Sequence, residues 1–130
     1  MKKTILIIDD SLPIRYLLEV FFSKKYNIVS ASDGLSGMAW LTKGNVPDMI
    51  ITDLQMPNIS GWELVEYLNA SNLYKDIPVM VLTGVLNPKD SLGHKTFDNV
   101  KAICNKPFDP VQLMDAVDRI VNNTYNVVYS

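Results

Sequence analysis

The chain alternates short, uniformly apolar runs with longer amphipathic segments. Runs this short and rich in β-branched residues are typical of parallel strands that are covered on both faces. The sequence contains five of them: Thr4 to Ile8, Asn27 to Ala31, Met49 to Thr52, Pro78 to Leu82 and Lys101 to Cys104.

The segments between these runs have the spacing of amphipathic helices. Ser11 is a suitable N-cap for the first helix, and Pro13 lies in its first turn, where a missing N–H is tolerated. We expect two shorter helices over residues 34–41 and 61–68. Two apolar stripes at helical spacing predict the buried faces of the first and last helices. They are Ile14, Leu17, Leu18, Phe21 and Phe22, and Leu113, Val117, Ile120 and Val121.

Five strands interleaved with helices predict a parallel sheet with helices on both faces, a doubly wound α/β fold. The segment between Gly84 and Val100 has no clean apolar stripe, so we expect an atypical helix there, short, displaced or partly loop. Residues 1–122 are predicted to form one domain. Residues 123–130 form a tail, expected to be disordered or to add a strand.

The composition excludes several function classes. A chain of 130 residues has room for one domain. Its net charge of −2 argues against general nucleic-acid binding, and no apolar stretch approaches the length of a membrane span. Cys104 is the only cysteine, which excludes an intrachain disulfide and a cysteine-based zinc site. These features fit a protein of the reducing cytoplasm.

The predicted strand ends carry side chains suited to phosphoryl chemistry. Asp9 and Asp10 follow the first strand, Asp53 the third, Thr83 the fourth and Lys106 the fifth. Ligands bind beyond the carboxyl ends of the strands in such sheets. Three converging carboxylates need a cation, and oxygen ligands favour Mg²⁺. A lysine and a hydroxyl would complete a cradle for a phosphoryl group, with a carboxylate as the nucleophile.

These motifs, in this order and at this spacing, resemble the receiver domains of two-component response regulators over nearly the whole chain. The resemblance implies a flavodoxin-like sheet with strand order 2-1-3-4-5. It also implies a signalling switch and no dedicated enzyme. Because the sequence shows no effector domain, we expect a stand-alone receiver that signals through protein–protein contacts. The motifs are Ile7-Ile8-Asp9-Asp10-Ser11, Asp48 to Asp53, Leu54-Gln55-Met56-Pro57, Gly61, Pro78 to Gly84, and Lys106-Pro107-Phe108.

The resemblance also assigns a role to each metal ligand. Asp53 looks like the phosphoacceptor. Asp10 and Asp53 would bind Mg²⁺ directly, with the backbone carbonyl of Gln55 as a third protein ligand. Asp9 would hold a metal-bound water or orient the ion.

Two further residues are expected to hold the phosphoryl group. Lys106 would pair with a phosphoryl oxygen, its position fixed by a cis peptide bond to Pro107, and Thr83 would hydrogen-bond the group once it is installed. The implied donor is a phosphohistidine of a sensor histidine kinase or a histidine phosphotransfer protein. The downstream target is an unknown protein, and phosphorylation-dependent dimerisation is left open.

The sequence departs from the receiver pattern at Ile103, where many receivers have Tyr or Phe. A degenerate receiver that acts only by protein binding is therefore one alternative. A second is an aspartyl-phosphate hydrolase of the haloacid-dehalogenase type, although Gln55 stands where those enzymes have a second Asp. Gly61 is expected to permit an awkward backbone step before the third helix.

Overall fold

In the computed structural model, residues 2–84 and 97–122 are described. They contain a five-stranded parallel sheet with the order β2-β1-β3-β4-β5. The doubly wound fold and its strand order are therefore confirmed. The elements are β1 (Thr4–Ile8), α1 (Leu12–Phe22), β2 (Asn27–Ala31), α2 (Gly34–Thr42), β3 (Met49–Asp53), α3 (Gly61–Ala70), β4 (Val79–Thr83), β5 (Val100–Asn105) and α4 (Pro110–Val121).

The sheet separates two apolar cores, which we name after the helices that cover them. In β1, Ile5 and Ile7 point into the α1/α4 core, whereas Leu6 and Ile8 point into the α2/α3 core. Strands β3 and β4 are buried at every position. Burial on both faces explains why these strands are continuous apolar runs with no polar alternation.

The helix termini follow the local rules of capping. Ser11 accepts a hydrogen bond from the Ile14 N–H, with Pro13 at the start of α1. At the start of α3, Ser60 and Glu63 form a reciprocal capping box. This box fixes the start of α3, close to the end of β3.

One residue of the predicted α1 stripe is placed differently. Leu18 and Phe22 are buried, but Leu17 is 45% exposed, so its assignment to the buried face was wrong. Successive helical residues are rotated by about 100°, which turns Leu17 away from the arc centred near Leu18. The predicted stripe of α4 is buried throughout.

Some predictions concern residues outside the described ranges. The atypical helix expected between β4 and β5 falls largely on residues 85–96, and the tail is residues 123–130.

No helix within residues 2–84 and 97–122 has the length and apolar character of a membrane span.

Candidate functional site

Three carboxylates meet at the carboxyl ends of β1 and β3. These strands are neighbours, with Ile8 opposite Thr52, so Asp9 and Asp53 extend from adjacent positions. One carboxylate oxygen from each of Asp9, Asp10 and Asp53 lies within 4.8 Å of the other two. The structure thus brings Asp53 together with two carboxylates that lie 43 and 44 positions earlier in the chain.

Each polar group of Asp9 has a hydrogen-bond partner in the protein. Its Oδ1 accepts a hydrogen bond from the Ser11 N–H (2.8 Å), and its Oδ2 contacts Lys106 Nζ (3.0 Å). Its backbone N–H donates to the Ala31 carbonyl (3.1 Å), and its carbonyl accepts from Arg15 Nη1 (2.6 Å). The residue is only 1% exposed. Its carboxylate therefore has one fixed orientation.

Asp53 is a buried carboxylate with incomplete charge compensation. Its Oδ1 accepts a hydrogen bond from the Leu54 N–H (2.8 Å) and lies 3.4 Å from Lys106 Nζ. Burial raises the pKa of Asp53 above its ordinary value, and the Asp9 charge adds to this, although Lys106 opposes it. Additional positive charge at this position would favour the ionised form.

Lys106 and Thr83 close the opposite side of the site. Thr83 is the last residue of β4, and Lys106 directly follows the adjacent strand β5. The Lys106 N–H donates to the Thr83 carbonyl (2.8 Å). Thr83 is fully buried, while the Lys106 side chain is 19% exposed. The Lys106–Pro107 peptide bond is cis, as expected. One ammonium group thus contacts both Asp9 and Asp53.

The remaining expected ligands lie on the open side of the site. Asp10 and Gln55 are both exposed. No hydrogen bond from the described residues reaches the Asp10 carboxylate, so this group can take a ligand without losing a protein contact. Three carboxylates facing one lysine form a donor set that suits a hard divalent cation.

Gly61 is required by a close approach, because helix α3 begins directly against the end of β3. A Cβ atom at Gly61 would lie 2.2 Å from the Asp53 carbonyl oxygen, and the Gly61 N–H donates to the Leu54 carbonyl (2.8 Å). The expected awkward backbone step before the third helix is therefore confirmed, and its cause is this close approach, since Gly61 is not among the residues with positive φ. The glycine lets α3 support the strand end that carries Asp53.

Arg15 is a site residue that the sequence reasoning missed. Its contact with the Asp9 carbonyl gives the strand end a second cation besides Lys106. One signal was available: a cation in the first turns of a helix opposes the helix dipole, which suggests a specific compensating partner.

Ile103 is packed as an aliphatic residue of the sheet. It lies opposite Val81 of β4 and is partly buried against the α2/α3 core. An aliphatic side chain thus occupies the position at which many receivers have Tyr or Phe.

Comparison with known proteins gives consistent results. The model of the response regulator receiver domain family matches residues 5–118. A hybrid signal transduction histidine kinase D of Dictyostelium discoideum is 34% identical over 122 residues, which cover 93% of this chain and 8% of that protein. The chain also spans only 53% of a probable transcriptional regulator, ycf29, of Pyropia yezoensis. The matching region is therefore one part of these longer relatives.

Solved structures show the same architecture. The signal receiver domain of a histidine kinase from Syntrophus aciditrophicus has a TM-score of 0.83 at 27% identity, covering 93% of this chain and 91% of that one. The chemotaxis response regulator CheY4 of Vibrio cholerae has a TM-score of 0.82 at 28% identity, covering 92% and 99%. Since the family match also spans all five strands and every strand end described above, the chain belongs to the response regulator receiver domains of two-component systems.

Proposed function

We propose that Asp53 accepts a phosphoryl group from a phosphohistidine of a sensor kinase or phosphotransfer protein, in a reaction that requires Mg²⁺. The observation that carries this proposal is the gathering of Asp9, Asp10 and Asp53 within 4.8 Å, with Lys106 Nζ at 3.0 and 3.4 Å from two of them. Membership of the receiver family supports it, because receivers take phosphate from histidine kinases.

The residues present fit a magnesium ion. Asp10 and Asp53 would bind the ion directly, together with the Gln55 carbonyl. Asp9, whose carboxylate oxygens already accept bonds from Ser11 and Lys106, would act through a bound water. When bound, the ion supplies positive charge that neutralises the phosphoryl oxygens.

In the proposed step, the Asp53 carboxylate attacks phosphorus. A bond forms between a carboxylate oxygen and phosphorus, and the bond between phosphorus and the imidazole nitrogen breaks. The electron pair stays on that nitrogen, which takes a proton from water. Lys106 pairs with one phosphoryl oxygen, and the Thr83 hydroxyl donates to another. The Leu54 N–H holds Asp53 in position during the attack.

Phosphorylation with a small donor tests this proposal. Incubation with Mg²⁺ and acetyl phosphate should add about 80 daltons, the mass of one phosphoryl group. Asp53→Asn and removal of Mg²⁺ should each abolish the gain, whereas Asp76→Asn, an exposed carboxylate near the start of β4, should leave it unchanged. Absence of a mass gain in the wild type would favour the degenerate receiver. Continuous release of phosphate from phosphomonoesters would favour the hydrolase.

The exposed face of α1 supports docking of the phosphoryl donor next to the site. Leu12, Tyr16 and Val20 are 66%, 66% and 53% exposed, and their spacing of four residues forms one ridge along the helix. The ridge begins two positions after Asp10. A protein that delivers a phosphoryl group to Asp53 must contact the rim of the site, and this ridge offers apolar area there.

Separate donors test the role of this ridge. Tyr16→Glu should slow phosphorylation by a phosphorylated histidine phosphotransfer protein by about tenfold, the equivalent of about 1.4 kcal/mol. Phosphorylation by acetyl phosphate, which needs no docking, should be unchanged. Leu73→Glu is the matched control, since Leu73 is 77% exposed and follows the far end of α3. Equal slowing with both donors would contradict a docking role.

A further inference from the structure

Helix α1 holds the end of β1 through a contact that the proposed chemistry does not use. Arg15 Nη1 donates to the Asp9 carbonyl at 2.6 Å, and the Arg15 side chain is half-buried. Within the described part of the chain, Arg15 forms no ion pair with a carboxylate, although three carboxylates lie at the adjacent site. The guanidinium group of Arg15 thus binds a main-chain oxygen of the strand end.

Both partners, the Asp9 carbonyl and the Arg15 guanidinium, have a physical reason to form this contact. The Asp9 carbonyl belongs to a residue that is 1% exposed, and a buried carbonyl requires a donor. A cation near the amino end of a helix is disfavoured by the helix dipole. A short, charge-assisted hydrogen bond compensates for that position.

The contact also acts on Asp10. The Asp9 carbonyl and the Asp10 N–H belong to one planar peptide group, so a donor that fixes the carbonyl also fixes the plane from which Asp10 begins. Asp10 is exposed, and no side chain or backbone group of the described residues bonds its carboxylate. In the described part of the chain, the Arg15 bond to the Asp9–Asp10 peptide is therefore a contact that can influence the position of Asp10.

We propose that Arg15 is a positioning residue of the magnesium site, an inference that rests on the proposed function. By holding the Asp9–Asp10 peptide, Arg15 keeps the Asp10 carboxylate directed towards Asp53 before the ion arrives. An effect of charge alone predicts the opposite result. Removing a cation beside the site would strengthen binding of a divalent cation, whereas removing a positioning residue weakens it.

A magnesium titration of Arg15→Met separates the two effects. The readout is the set of backbone amide shifts of Asp9, Asp10 and Ser11, which needs no phosphorylation. We expect Mg²⁺ to bind about tenfold more weakly, as is typical when a residue that orients a metal ligand is removed. The Asp10 ¹⁵N shift should also move in the metal-free protein, because its peptide loses the hydrogen bond from Arg15.

Kinetics with acetyl phosphate give a second measurement. The Mg²⁺ concentration for half-maximal phosphorylation should rise about tenfold, while the rate at saturating Mg²⁺ stays near that of the wild type. Arg119→Met is the matched control, because it removes the same charge from the exposed face of α4. It should leave both values unchanged.

Folding is checked by thermal unfolding without metal. If Arg15→Met is unfolded, Arg15→Lys provides the test, since it keeps the charge on a shorter side chain with a single donor group; we expect its Mg²⁺ binding to weaken about threefold. Unchanged or tighter binding in either folded variant would overturn the role of Arg15. Failure of the wild type to bind Mg²⁺ would instead overturn the proposed function, so the two failures are distinguishable.

Discussion

Neutralising Asp53 should stabilise the metal-free protein. Asp53→Asn keeps the shape of the side chain and an oxygen that accepts from the Leu54 N–H. It removes a carboxylate that is 6% exposed and has a raised pKa. Lys106 retains a partner, because its Nζ lies closer to Asp9 (3.0 Å) than to Asp53 (3.4 Å).

The magnitude follows from three opposing contributions. The carboxylate oxygens of Asp9 and Asp10 lie within 4.8 Å of Asp53, and at an effective dielectric constant of about 20 a like charge at that distance opposes ionisation by at least about 3.5 kcal/mol. Lys106 at 3.4 Å favours ionisation, but by less than Asp9 opposes it, because the ammonium group lies closer to Asp9 and shares its charge with that carboxylate. Burial of the carboxylate adds a penalty of several kcal/mol. We expect a net stabilisation of about 2 kcal/mol, or an increase in Tm of about 6 °C.

The pH dependence has a definite sign. Because the pKa of Asp53 is raised on folding, the folded state binds the proton more tightly than the unfolded chain does. The ionised group therefore destabilises the wild type above its folded pKa. As the pH falls through that pKa, the wild type should regain stability, and its difference from Asp53→Asn should shrink.

Thermal unfolding in chelator at a series of pH values from acidic to neutral measures both effects. Mg²⁺ at about 100 times its Kd should stabilise the wild type by about 2.7 kcal/mol and the variant much less. Asp76→Asn should melt like the wild type. A lower Tm for Asp53→Asn than for the wild type at neutral pH would refute this reasoning.

Two further predictions concern residues that support Asp53. Gly61→Ala places a Cβ atom 2.2 Å from the Asp53 carbonyl and should destabilise the fold by about 3 kcal/mol in denaturant titrations. Gly84→Ala, whose Cβ would have no atom of the described residues within 4 Å, should not. Lys106→Met leaves Asp9 and Asp53 without their ammonium partner and should destabilise the metal-free protein by about 3 kcal/mol. Mg²⁺ should restore much of that loss; no recovery would argue against a cation site between the carboxylates.

Sequence patterns predicted the strands well, at the partly exposed edge strand β2 as well as at the fully buried β3 and β4. The apolar runs gave β1 and β2 with the bounds found in the structure, and β3, β4 and β5 within one or two residues. Strand ends are sharp here because charged or turn-forming residues follow them directly. Leu17 was misplaced because spacing along a helix does not give the width of the arc that the sheet covers.

At the site, the expected side chains could be selected from the sequence because each one lies at the end of a strand or within two positions after it. Arg15 and Gly61 show what a pattern does not contain. Arg15 contacts a main-chain carbonyl, which every residue possesses, and the need for Gly61 comes from a distance between two elements. Such contacts depend on how helices sit on the sheet, and local spacing carries no information about that.

The two-sided burial of the sheet leaves its register weakly encoded by hydrophobicity. Sliding β1 by one position would exchange Ile5 and Ile7 with Leu6 and Ile8 between the two cores, and apolar side chains would still occupy both. The same slip would draw Asp9 into an apolar layer, a penalty of several kcal/mol. Asp9 and Asp10 thus also fix the register of β1 in the sheet. Variants that lose these charges should therefore be examined for a shifted strand register as well as for lost chemistry.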